Sequence, residues 1–175
     1  MFKLKIALTG FVAMWLLSHS PAAFGAAVIK TQIPCTPIDG YCRVFSYAQT
    51  IPTIRNFSFT APSAGTAQVT FHGSMYCSNA DSNPGNGVID IASQIVDDPN
   101  AAADAVGPGG LRHAARLMPN TGAANSTTFN LASTRVFTIG GAGVKSYRFK
   151  MTKVTMNTGT VCFVYNASFS VVFIP

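Results

Sequence analysis

The stretch Asp81-Ser82-Asn83-Pro84-Gly85-Asn86-Gly87-Val88-Ile89-Asp90 gathers carboxylates and amides around a glycine turn, a composition close to that of a calcium loop. Calcium takes about six to eight oxygen ligands, and Asp81, Asn83, Asn86 and Asp90 are the side chains that would supply them. Asn86-Gly87-Val88-Ile89 copies the central amide, the glycine and the apolar anchor of such a loop. Aligned on Gly87, however, Ser82 and Pro84 fall where the first two ligands belong, and Ser93 falls where a bidentate Glu is required. The flanks read as strands rather than helices, so a Gly/Asn-rich hairpin loop is the favoured reading.

Hydrolytic chemistry has little to stand on. There is no G-x-S-x-G nucleophile elbow, no phosphate-binding loop and no dinucleotide fingerprint. Glycoside hydrolysis needs two facing carboxyls. Here Asp39, Asp81, Asp97, Asp98 and Asp104 sit in loop-like sequence, and Asp90 alone lies inside a strand pattern. His72 and His113 are far apart in the chain, and His72 falls on the outward face of its strand. The expectation is a protein with no catalytic residue, no cofactor and no metal.

The four cysteines are Cys35, Cys42, Cys77 and Cys162. They include no C-x-x-C, which removes the usual zinc spacings. An even count in an exported domain points to two disulfides, and four cysteines allow three pairings. Cys35 and Cys42 bracket the turn-forming Thr-Pro-Ile-Asp-Gly-Tyr, which favours a local bridge and leaves Cys77 to join Cys162.

Export itself is read from the first residues. Lys3 and Lys5 precede an apolar run from Ile6 to Leu17, and small residues around Ala23 and Gly25 suit a signal peptidase. The expected division is therefore a cleaved signal over residues 1–26, an amino-terminal segment with a local disulfide over 27–55, and one β-sandwich domain over 56–175. No later stretch is long and apolar enough for an integral membrane segment. The destination is secreted, periplasmic or cell-surface.

Without Lys3 and Lys5, ten basic side chains face six acids, a net charge of +4, and every acid is Asp. Asp favours turns and caps, and the wealth of Gly, Thr, Ser and Asn favours strands. So modest a charge gives no reason to expect nucleic acid. Arg112, Arg116, Arg148 and Lys150 fall on outward strand faces, where they would either form a patch for an anionic polysaccharide or cell surface or stand as separate solvated side chains, the favoured reading.

The elements that must position all this are strands. Ala67 to Cys77 alternates most clearly, with Val69, Phe71, Gly73, Met75 and Cys77 on one face and Gln68, Thr70, His72, Ser74 and Tyr76 on the other. Val44–Tyr47, Asn56–Thr60, Val88–Val96, Leu111–Leu117, Thr127–Leu131 and Val144–Val154 are further strands. Asp97 to Val106 is expected to form one short helical turn, capped by Asp, with Pro99 in its first turn and Gly107 at its end. Asn166-Ala167-Ser168 reads as a tight connection between Val161–Tyr165 and a terminal strand with Phe169, Val171 and Phe173 on one face. Eight or nine short strands at this spacing make an all-β antiparallel sandwich, with the jelly roll as the first choice.

The closing pattern resembles complement- and tumour-necrosis-factor-like jelly-roll modules. Gly140-Gly141-Ala142-Gly143 matches their glycine-flanked hairpin, and Phe169-Ser170-Val171-Val172-Phe173-Ile174-Pro175 their terminal aromatic strand. Phe57-Ser58-Phe59 followed by Ala64-Gly65-Thr66 fits the same layout. The resemblance implies ten strands, trimeric assembly, and ligand binding by loops without chemistry. Together these readings describe an exported, non-catalytic binding or surface-interaction module, with a homo-oligomer and a cell-surface or polysaccharide ligand as the expected partners. A structural subunit of an extracellular assembly and a secreted hydrolase are the alternatives.

Overall fold

The computed structural model describes residues 28–32, 42–46, 48, 53–79, 87–117 and 125–175. The expected export signal, Cys35 and the calcium candidates Asp81, Asn83 and Asn86 lie outside them. The elements in chain order are β1 (Val28–Gln32), β2 (Arg43–Ser46), β3 (Thr53–Ala61), β4 (Gly65–Asn79), β5 (Gly87–Val96), β6 (Leu111–Leu117), β7 (Asn125–Ile139), β8 (Gly143–Met156) and β9 (Thr160–Ile174). Among the described residues there is no helix, and therefore none long and apolar enough to cross a membrane.

Every strand pairing is antiparallel, and the strands divide into two sheets. Sheet A runs β1-β9-β4-β7, with β2 also on β9, and sheet B runs β3-β8-β5-β6. β1 meets residues 169–173 of β9 and β2 meets residues 161–164, so the two are halves of one interrupted edge lane. Read that way, the order is that of two interleaved Greek keys, a jelly roll. β1 and β2 thus supply an edge of the sandwich.

The core is a layer of rings between the sheets. Phe71 of β4 stacks on Phe149 of β8 with centroids 3.7 Å apart. Phe169 packs on Phe57 and Phe71, Phe59 packs on Phe173 and Tyr147, and Tyr147 packs on Phe137. These positions alternate with outward ones along each strand, as a two-sheet core requires.

Three sequence expectations change. The terminal strands are one: β9 continues through Asn166 by a bulge, where Asn166 and Ala167 lie opposite Gly73 between the pairs His72–Ser168 and Ser74–Tyr165. Asn166 adopts φ +50°, a left-handed conformation that Asn tolerates. A Cβ on Gly73 would stand 3.2 Å from the Tyr165 carbonyl oxygen, so a side chain opposite the bulge would require that carbonyl to shift by a few tenths of an ångström. The bulge also switches which parity faces inward, from Cys162 and Val164 to Ala167, Phe169 and Phe173. Thr127–Leu131 similarly belongs to a longer strand that runs without a break to Ile139.

The helical turn expected over 97–106 is absent. The alanine-rich segment instead lies as a strap over the outer face of sheet B. Ala101 N–H alone reaches one turn back, to the Asp98 carbonyl at 3.4 Å, and the next amides bond to the sheet instead: Ala103 N–H donates to Thr152 Oγ1 at 2.8 Å and Asp104 N–H to Gln94 Oε1 at 3.0 Å. Gln94 Nε2 donates in turn to the Pro108 carbonyl at 3.1 Å. With those partners supplied by β5 and β8, the segment gains nothing by coiling.

Cys77 and Cys162 are directly opposite each other on β4 and β9 and form a disulfide. Cys42 is disulfide-bonded as well. Such bonds are those that an oxidising compartment sustains. The Cys77–Cys162 link spans 85 residues of sequence. On the loop-entropy model a crosslink of that length stabilises by ~4.6 kcal/mol. The double variant Cys77→Ser/Cys162→Ser is expected to melt at least about 10 °C lower than the parent, measured by circular dichroism; an unchanged melting temperature would show the crosslink to be dispensable.

Candidate functional site

Sheet A turns one face to the core, and no described residue covers the other. The outward positions on β4 are Thr66, Gln68, Thr70, His72, Ser74, Tyr76 and Ser78. Those on β7 are Ser126, Thr128, Asn130, Ala132, Thr134, Val136 and Thr138. On β9 they are Val161, Phe163, Tyr165, Asn166, Ser168, Ser170, Val172 and Ile174. None is Lys, Arg, Asp or Glu. An ordinary soluble surface carries roughly 25–35% charged residues, so a three-strand face with none is a feature to be explained.

Registry turns this list into rows. Ser170, Thr70 and Thr134 stand side by side, and the Thr70 and Thr134 hydroxyls are 3.1 Å apart. Thr31 continues the row on β1. Toward the end of the sheet that holds the disulfide, Phe163, Tyr76 and Thr128 form another row, and the Phe163 and Tyr76 ring centroids are 6.5 Å apart. Tyr165, Ser74 and Asn130 form the adjacent one. The bulge places Tyr165 and Asn166 consecutively on the outward side, which steps the surface beside these rings. The result is a half-exposed aromatic platform flanked by hydroxyls and amides.

Charge is concentrated on the other sheet, where the protein uses much of it internally. Asp90 takes two hydrogen bonds from Arg112, from Nε at 2.8 Å and Nη2 at 2.5 Å. Those bonds hold the Asp90 carboxyl below the usual carboxylate range, against the opposing effect of burial. Asp90, the one calcium candidate within the described residues, is therefore spent on an arginine, and no group of metal-binding side chains forms among those residues. The proposed basic patch is likewise broken up. Arg112, Arg116, Arg148 and Lys150 do share the outer side of sheet B, but Lys150 is only 2% exposed. The strap covers it, and its Nζ donates to the carbonyls of Pro99 and Ala101, the latter at 2.9 Å. Arg148 donates to the Asp97 carbonyl at 3.1 Å. Arg116 is exposed on β6.

Two buried polar groups invite a chemical reading. Ser93 Oγ lies 2.8 Å from His113 Nε2, a nucleophile-to-base distance. Both residues are sealed in the core, at 0% and 7% exposure, and the ring meets Phe129 edge-on. The nearest carboxylate in the sheet, Asp90, bonds to Arg112 on the opposite face, so the pair is a structural hydrogen bond. The Tyr147 hydroxyl is different: it is buried with no hydrogen-bond partner among the described residues. Burial and the Asp97 carboxylate push this phenol up to about 12. An unpaired buried hydroxyl costs roughly 1–3 kcal/mol.

Sequence reasoning placed Tyr76 on the outward face but could not assemble the platform, because Phe163 and Thr128 join it only through strand pairing. No protein-family model matches the chain, and no curated protein matches it in sequence. Among solved structures, the infectious bursal disease virus VP2 subviral particle protein is 14% identical, with a TM-score of 0.38 over 85% of this chain and 33% of its own. A second infectious bursal disease virus structure, of T=1 particles, is 14% identical, with a TM-score of 0.37 over 85% of this chain and 32% of its own. A family two carbohydrate esterase from Cellvibrio japonicus is 11% identical, with a TM-score of 0.22 over 86% and 36%. The chain spans about a third of the length of these proteins, and likeness this distant assigns no function.

Burial lowers the pKa of His113 by disfavouring the charged ring. In the unfolded chain the same ring titrates near ~6.5. Below that pH the unfolded state binds a proton that the folded state resists, so stability is complete above it and falls as the solution is acidified. The urea midpoint is expected to drop between pH 7.5 and 5.5, and His113→Gln is expected to flatten that slope. An equal slope in the variant would place the acid sensitivity elsewhere.

Proposed function

We propose that this protein is a non-catalytic binding module that lays the outer face of sheet A against a neutral, hydroxyl-rich surface, with an uncharged polysaccharide as its ligand class. The observation that carries this reading is the absence of any charged residue from the outward positions of β4, β7 and β9. A charged partner would leave its own charges unpaired on such a face, whereas a neutral glycan would not. The aromatic platform of Phe163, Tyr76 and Tyr165 offers apolar ring faces for the C–H faces of sugars. Asn130, Ser74, Thr128 and the row through Thr70 offer both donors and acceptors to sugar hydroxyls. Core depletion of charge with retention of Tyr and Phe is also the compositional mark of recognition surfaces in general.

The test is retention of the purified protein on insoluble neutral polysaccharides (cellulose, chitin, starch, xylan) and on anionic ones (pectate, alginate). Retention on a neutral polymer, unchanged by added sodium chloride, is expected. Two rings contributing about 1 kcal/mol each imply that Tyr76→Ala/Phe163→Ala weakens it roughly 30-fold. Retention confined to anionic polymers and abolished by salt would sink this reading and move the ligand to sheet B.

A further inference from the structure

The aromatic platform of sheet A sits at the ends of the strands that carry it. β4 stops at Asn79, just past Tyr76, and β9 starts at Thr160, just before Phe163. β7 starts at Asn125, just before Thr128. On its other side this end of β9 is paired with the four-residue β2. Strand ends open more readily than strand centres, and rings carried on an opening end sample many orientations.

Two features tie β4 to β9, and they fall on either side of the platform. One is the bulge, where Asn166 and Ala167 lie opposite Gly73. Its backbone is held from outside the ladder: Ala167 N–H donates to Cys42 Sγ at 3.3 Å, and Arg55 Nη1 donates to the Ala167 carbonyl at 2.6 Å. The other is the Cys77–Cys162 disulfide. Cys77 follows Tyr76 and Cys162 precedes Phe163, so the crosslink joins the two backbones directly beside the ring pair. Successive side chains alternate, which puts the sulfurs on the core side of the sheet and the rings on its outer side. Ser74, Tyr76, Phe163 and Tyr165 all fall between the bulge and the crosslink. Stability alone does not select this place. Loop entropy varies only with the logarithm of loop length, so the inward pair Val69–Val171, at the far end of the same ladder, would close a loop of nearly equal value.

We infer that the Cys77–Cys162 disulfide, with the bulge as its counterpart, is a positioning device that holds Tyr76 and Phe163 ready to receive an uncharged polysaccharide. This rests on the neutral-polysaccharide reading of sheet A and adds how that face is kept in its binding geometry. Ordering a side chain at an interface costs affinity, and rings already fixed 6.5 Å apart avoid much of that cost. Both cysteines are at 0% exposure, so the tie is a permanent clamp rather than a redox switch.

The probe is whichever of cellulose, chitin, starch and xylan retains the parent protein most tightly, with affinities taken from depletion isotherms in the cold. Cys77→Ala/Cys162→Ala is expected to bind roughly tenfold more weakly. On the Tyr76→Ala/Phe163→Ala background the same cysteine change is expected to cost less than about twofold, because the rings it positions are gone. Ile95→Ala cuts the core on sheet B and also lowers the melting temperature, yet is expected to leave retention unchanged, which separates positioning from general stability. Amide exchange at Tyr76 and Phe163 is expected to rise in the cysteine variant relative to Phe71 and Phe169 at the sheet centre. Gly73→Ala keeps the crosslink but crowds the Tyr165 carbonyl at 3.2 Å. It is expected to weaken retention severalfold, and it decides the matter where the cysteine variant does not fold. Parent-like affinity in these variants, a full cysteine effect without the rings, an equal loss in Ile95→Ala, or unchanged relative exchange would each overturn the inference and leave the polysaccharide reading standing. Retention of the parent on none of the four polymers would overturn both.

Discussion

The two sheets meet through one layer of aromatic rings, and most of what the molecule shows follows from that layer. Phe71 and Phe149 stack at its centre, with Phe57, Phe59, Phe169, Phe173, Phe137 and Tyr147 around them. Each ring contact adds ~0.5–1.5 kcal/mol beyond the area it buries. The rings come from β3, β4, β7, β8 and β9, so the layer cannot form until strands distant in sequence have paired. It also fixes strand parity. With those rings inward, Thr70, Tyr76, Thr134 and Ser170 must point outward, and the uncharged face of sheet A is the reverse side of the aromatic core.

The two outer faces are treated in opposite ways. On sheet B, the strap over residues 97–110 supplies carbonyls to Lys150 and Gln94 and donates amide hydrogen bonds to Gln94 and Thr152. That face is satisfied by its own chain. Sheet A receives no such cover from the described residues, and the Thr70 and Thr134 hydroxyls on it pair sideways with each other. A jelly roll requires only that both sheets bury one side, so the contrast between the two outer sides comes from the side chains and the strap rather than from the topology.

Much of the sandwich was legible in the sequence because a half-buried strand writes its burial as alternation. Ala67 to Cys77 showed its inward and outward sets, and the aromatic pairs of β3 and β9 showed theirs. β5 did not alternate in burial, since the strap buries Ala92, Gln94 and Val96 on its outer side while the core buries Ile89, Ile91 and Ile95. Lys150 looked exposed for the same reason: parity puts it outward, and only the tertiary path of residues 99–101 covers it. The alanine run resembled a helix because local propensity carries no information about the hydroxyl of Thr152 or the amide of Gln94. The bracketed platform was out of reach, although its disulfide was not. Tyr76 and Phe163 become neighbours only when β4 and β9 pair, and the bulge that completes the bracket read as a connection between two strands.

The bulge at Asn166 makes β9 two half-strands of opposite parity joined in one ladder. A sheet of long antiparallel strands with polar outward rows is exposed to slippage, because a shift of two residues preserves which side chains face inward. Here a two-residue slip would carry Asn166 and Ala167 away from Gly73 and set them against a residue with a Cβ, where the approach to the Tyr165 carbonyl closes. β4 and β9 thus behave like the notched halves of a vernier, which coincide at one setting. Misaligned pairings lose that coincidence.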